Sequence, residues 1–144
     1  VKAFLSFDLS TLPAGATLTS ARLELNLVNV LGNPTTDLGD LMADLVIYGP
    51  MFPDGLTYVG NTQLGNLAVI TSNSTPGVKS TSVLFGVNQM RAMNLTRFQV
   101  RLRFRNAEQN FDAQDTRLEF EDAESSLGTG AVPLLIIVYE IPNP

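Results

Sequence analysis

Between residues 97 and 105 the chain reads Arg-Phe-Gln-Val-Arg-Leu-Arg-Phe-Arg, so that Phe98, Val100, Leu102 and Phe104 alternate with Arg97, Gln99, Arg101, Arg103 and Arg105. A period of two is the mark of a strand with one apolar and one polar face. The same pattern recurs elsewhere. Over residues 1–9, Ala3, Leu5, Phe7 and Leu9 oppose Lys2, Ser6 and Asp8, with Phe4 on the outer side. Over 17–28, Ala21, Leu23, Leu25 and Leu27 oppose Arg22, Glu24 and Asn26, and over 116–122, Leu118 and Phe120 oppose Arg117, Glu119 and Glu121. Further strands are predicted over 41–48, 56–59, 67–71 and 80–87, the last with Val83, Phe85 and Val87 on one face. Residues 132–141 are apolar on both faces, which predicts a central strand. Val87, Met90 and Met93 recur every three residues, predicting about one turn of helix over 88–94, across an end of the sheets.

Between these segments lie turn residues with defined roles. Pro13 fixes φ and Gly15 accepts positive φ in the first connection, while Gly, Asn, Pro, Thr and Asp fill 31–39 and a polar turn fills 72–77. No repeat, linker or low-complexity segment divides the chain. The reading is a single all-β domain over residues 1–144, a two-sheet antiparallel β-sandwich of jelly-roll type. Because a strand begins at Val1 with no loop before it, more chain or another subunit is expected to precede it. If 97–105 and 116–122 form a hairpin with indices summing to about 222, Arg103 meets Glu119 and Arg101 meets Glu121.

Composition removes several function classes. At 144 residues the chain can bury a core without staples. It has no Cys, His or Trp, which excludes disulfides, an ordinary Ser/His or Cys/His nucleophile pair and a standard zinc site. No pair of carboxylates stands out as a glycosidase acid and base, so the chain is read as not an enzyme. Its net charge of −5 argues against nucleic-acid binding. No apolar run approaches the ~20 residues of a membrane helix.

Four of the nine basic residues, Arg97, Arg101, Arg103 and Arg105, stand on one strand face. Such a ladder can hold the carboxylates or sulfates of an acidic polysaccharide through bidentate bonds, or it can be a solvated face neutralised by Glu119, Glu121 and Glu24. Asp37, Asp40 and Asp44, and separately Glu108, Asp112 and Asp115, offer oxygen ligands for Ca²⁺, but with neither EF-hand nor RTX spacing. Water-exposed loop acids are the simpler account, and no cofactor is assigned. Asn73-Ser74-Thr75 and Asn94-Leu95-Thr96 are glycosylation sequons. Tyr48, Tyr58 and Tyr139 are candidates for stacking on sugars or for core packing.

Residues 5–25, from Leu5-Ser6-Phe7-Asp8-Leu9-Ser10 through Leu12-Pro13-Ala14-Gly15 to Ala21-Arg22-Leu23-Glu24-Leu25, resemble the opening of the DNRLRE domain family. Phe120, Glu124, Pro133, Leu134 and Tyr139 resemble its closing hairpin strand, acidic loop and terminal strand. The middle, from about Leu31 to Thr81, carries little likeness. The resemblance implies an extracellular, non-catalytic jelly-roll module of the kind found at bacterial and archaeal cell surfaces, some of which bind acidic carbohydrates. It also implies strands upstream of Val1, and a Trp near the position of Val87-Asn88-Gln89 that this chain lacks. The functional expectation is a structural subunit that joins other copies of itself into a cell-surface appendage or filament by strand addition. The alternative is a carbohydrate-binding module for acidic polysaccharide.

Overall fold

The computed structural model describes residues 2–48, 62–106, 116–122 and 132–142. Its strands are β1 (Ala3–Asp8), β2 (Thr17–Leu31), β3 (Leu41–Leu45), β4 (Leu64–Thr71), β5 (Gly77–Ser82), β6 (Arg97–Phe104), β7 (Arg117–Phe120) and β8 (Leu134–Glu140). Two helices, α1 (Pro34–Leu38) and α2 (Leu84–Ala92), complete it. One antiparallel sheet has the order β1-β6-β3-β4 and the other β5-β2-β7, with β8 also on β2. The chain is thus the all-β sandwich that its alternation predicts, crossing between sheets after β1, β2, β4, β5 and β6. The expected strand over 56–59 and the acids Glu108, Asp112 and Asp115 lie outside the described residues.

The second sheet is built on β2. Its inward residues Ala21, Leu23, Leu25 and Leu27 are buried, while Arg22 is exposed. Leu27 pairs with Gly77 of β5 and with Phe120 of β7, and Leu23 pairs with Thr81 of β5 and with Leu135 of β8. A strand residue can pair once on each side. Hence β7 and β8 lie end to end along one side of β2, opposite β5. β4 and β5 meet at the other flank of the sandwich, where one sheet hands the chain to the other. The remaining edges, β1 and the β7–β8 line, therefore share a flank.

Three sequence expectations are corrected. Residues 97–105 do not pair with 116–122: β6 lies between β1 and β3, and β7 belongs to the other sheet. Residues 132–141 do not form a central strand, since among the described residues β8 pairs with β2 alone. The expected strand over 80–87 ends at Ser82, and α2 takes over from Leu84. Val83, Phe85 and Val87 mimic an alternating face, but Gly86, Val87 and Met90 form the buried side of a helix and Phe85 is exposed. Gly86 is needed at this contact, where a Cβ would come within 2.7 Å of Leu67 Cδ2 and 3.1 Å of Phe98 Cε2.

Helix α2 ends in a Schellman arrangement. Leu95 N–H donates to Met90 O at 2.9 Å, Asn94 N–H donates to Arg91 O at 2.9 Å, and Asn94 takes the left-handed conformation at φ 57°. A side chain with Cβ is disfavoured there, and asparagine is among the residues that tolerate it best. Asn94→Ala is therefore expected to be about 1–2 kcal/mol less stable than Asn94→Gly. Thermal melts of the two variants check this, and both lose the sequon, so modification does not confuse the comparison.

Candidate functional site

The arginines of β6 do line one face of the first sheet, the one opposite Phe98, Val100 and Leu102, and they bond groups of their own protein there. Asp44, in the register of Arg101 on the neighbouring strand β3, is fully buried. Its Oδ2 accepts Arg101 Nη2 at 2.7 Å and Arg103 Nε at 2.7 Å, while Oδ1 accepts Arg103 Nη2 at 3.1 Å and the Asn66 backbone N–H at 2.8 Å. Arg101 is 4% exposed. Arg103 also reaches Asn66 Oδ1 at 2.8 Å. Burial alone pushes the Asp44 carboxyl up, but the hydrogen bonds from Arg103, Asn66 and Arg101 outweigh it and hold the group below its ordinary value.

The ends of the ladder are also engaged. Arg97 Nε donates to Ser6 Oγ at 2.6 Å, and Ser6 Oγ accepts Gln99 Nε2 at 3.1 Å. Arg105 bonds Asp40 Oδ2 at 3.0 Å. Thus Arg97, Arg101, Arg103 and Arg105 share a face, as expected, and each has a partner inside the protein. Their acidic partners are Asp40 and Asp44, not Glu119 and Glu121. Glu119 instead accepts from Asn29 and Arg117 at 2.9 Å and 2.7 Å, and Glu121 accepts from Asn26 at 3.2 Å. Two of the acids considered for Ca²⁺ are thus committed to guanidinium groups. Among the described residues no group of three or more acids gathers into a cation site.

The two sequons sit in different settings. Asn73 Oδ1 accepts Thr75 N–H at 3.1 Å and Lys79 Nζ at 2.8 Å, an Asx turn closed by a lysine. Asn94 is exposed on the helix terminus described above. Tyr48 stands edge-on to Phe4, centroids 5.8 Å apart, and Tyr139 lies exposed on β8. A surface groove of about 190 Å³ beside α2 is lined in part by Leu64, Phe85, Met90 and Met93. Among the described residues its remaining lining is Leu45, Gln63 and Gln89, with no ionisable side chain.

The feature that sequence reasoning misplaced is the flank between β1 and β8. Leu5 and Phe7 on β1 and Leu135 and Ile137 on β8 are half-buried and pack onto the core from this side. On the outer face of β8, Leu134, Ile136 and Val138 are 46%, 42% and 53% exposed. The run of apolar residues was visible in the chain, but it signalled burial rather than an edge. Soluble proteins commonly guard an edge strand with a charge, a proline or a bulge; β8 has neither charge nor proline between Leu134 and Tyr139, and the register shift in its pairing falls on β2, between Leu18 and Ser20. In comparisons with known proteins, no family model matches the chain and no curated protein is similar to it.

Proposed function

We propose that this chain is a non-catalytic structural β-sandwich that joins other copies of itself by strand addition at the flank between β1 and β8, building an extracellular or cell-surface appendage. The observation that carries the reading is β8: a strand paired on one side among the described residues, with three large apolar side chains exposed on its outer face. An added strand satisfies main-chain donors and acceptors and covers those side chains together. The resemblance and the sequons support the extracellular setting. The acidic-polysaccharide alternative draws less support, because its four arginines already bond Ser6, Asp40, Asp44 and Asn66.

Sedimentation velocity over a wide concentration range tests the proposal. The wild-type chain is expected to form oligomers, and the double variant Ile136→Lys/Val138→Lys to weaken association at least tenfold while retaining its circular-dichroism spectrum. A wild-type chain that stays monomeric at every concentration would refute the proposal.

A further inference from the structure

We infer that β8 pairs with β8 of a second copy, antiparallel, about a two-fold axis through Ile137. The inference rests on the strand-addition reading and gives it a partner, a register and a symmetry. The direction of the main-chain groups sets the first constraint. Val138 O accepts the Thr19 hydroxyl at 3.2 Å and so is turned toward β2. Main-chain groups alternate sides along a strand, so Leu135, Ile137 and Tyr139 turn theirs to the opposite edge. Two antiparallel copies can exchange bonds only when residues of this set oppose one another, which places the axis on a residue and not between two.

Among such axes, only Ile137 matches the whole of Leu134–Glu140 with its copy. It sets Leu134 opposite Glu140, Leu135 opposite Tyr139, and Ile136 opposite Val138. Ile136 and Val138 of both copies then adjoin on the outer face and cover one another. The one charge on the strand does not oppose this partner. Glu140 is the strand's one charged residue, and the two-fold puts the two Glu140 at opposite ends, about 20 Å apart. That exceeds the ~8 Å screening length at physiological salt, so the two Glu140 do not repel one another strongly across the axis.

The other described edges are guarded. β4 carries register shifts against β3 and a left-handed Asn66 at φ 55°. β5 follows Pro76 and contains Lys79, and β1 lies between Lys2 and Asp8. On β8 the proline and the charge fall at the two ends, Pro133 and Glu140, and the register shift lies on β2 between Leu18 and Ser20, so the apolar edge from Leu134 to Tyr139 finds its match in itself, and the second sheets of two copies join as β5-β2-β8-β8-β2-β5. A seven-residue strand buries less than the ~800 Å² per partner of a stable interface, so the pairing depends on concentration.

The absence of cysteine makes cross-linking a clean test. Ile136 and Val138 face one another across the axis as a non-hydrogen-bonded pair, whose Cα atoms lie about 4.5 Å apart, within disulfide reach. Ile136→Cys protein mixed with Val138→Cys protein, under copper–phenanthroline oxidation, is expected to give disulfide heterodimer in at least tenfold excess over either homodimer. Circular dichroism confirms that both variants fold. Homodimers in excess would overturn the Ile137 axis. Wild-type oligomers in sedimentation, with no cross-link in the mixture, would overturn β8 pairing and leave strand addition standing at another edge. A wild-type monomer at every concentration would overturn both.

Discussion

Changing Asp44 to asparagine is expected to remove about 3–5 kcal/mol of unfolding free energy, because it takes the charge from a buried carboxylate that Arg101 and Arg103 share. Asp44 is the common acceptor for two guanidinium groups and a backbone amide. An amide in its place keeps the shape but brings no charge, and its NH₂ points donors at donors. Asp40→Asn is the matched control. Its partner Arg105 is 48% exposed at the side chain, and surface pairs of this kind contribute about 1 kcal/mol or less. Urea unfolding of both variants at neutral pH measures the difference. Similar losses for the two would reduce Asp44 to an ordinary surface acid.

The pH dependence of the same pair of proteins gives a second readout. The Asp44 carboxyl is depressed in the folded chain from an ordinary value of 3.8, so in the window below that value the unfolded chain binds the proton first. Stability from this group is fully present above the unfolded pKa and is lost as pH falls through the lower folded one. Wild-type stability should fall on acidification through this window, and the Asp44→Asn variant should lack that component.

Phe98→Ala is expected to cost about 3–5 kcal/mol, comparable with Asp44→Asn but from the opposite face of the first sheet. Phe98 is fully buried on β6, with its ring against Phe7 of β1 at 6.3 Å between centroids. On the other side the backbone of α2 approaches at Gly86, so closely that no Cβ would fit without displacing Leu67 or the ring. A helix lying this near a strand cannot easily fall in to fill the space left by a lost ring. The cost should therefore sit high in the range, and Phe98→Leu, which keeps most of the volume, should cost much less. Denaturant midpoints at constant slope check both.

The phase of β2 and β6 was legible in the chain because each has a strict alternation and one buried face. The partners of β6 were not. Strand pairing between residues as distant as Leu5 and Val100, or Asp44 and Arg101, leaves no local trace, and the nearest alternating segment, 116–122, offered a plausible hairpin. One signal was available. Asp44 interrupts the otherwise apolar run of Leu41–Leu45, and a charge in a strand buried on both faces requires a buried partner. Reading it with Asp37 and Asp40 as a loop cluster obscured that requirement. In α2, Val83, Phe85 and Val87 fit period two as well as Val83, Gly86, Val87 and Met90 fit a helical face, and a buried glycine gives no hydrophobic cue. β8 was read correctly as apolar on both faces. Its position at an edge depends on which strands surround it, which composition does not encode.

The end-to-end placement of β7 and β8 along β2 also orders events in time. β2 spans residues 17–31, yet its partners come from 77–82, 117–120 and 134–140. Contacts this distant in sequence form slowly. During synthesis the longest described strand can pair one edge once β5 has emerged, but its other edge waits for β7 and β8, and the half of it around Leu18 and Ala21 waits for β8. Among the described strands of this sheet, β8 is thus the last to arrive and, once seated, turns its own outer edge to the surroundings. Folding and assembly compete for the same strand, and a nascent chain that met another copy's β8 before making its own would exchange strands with it.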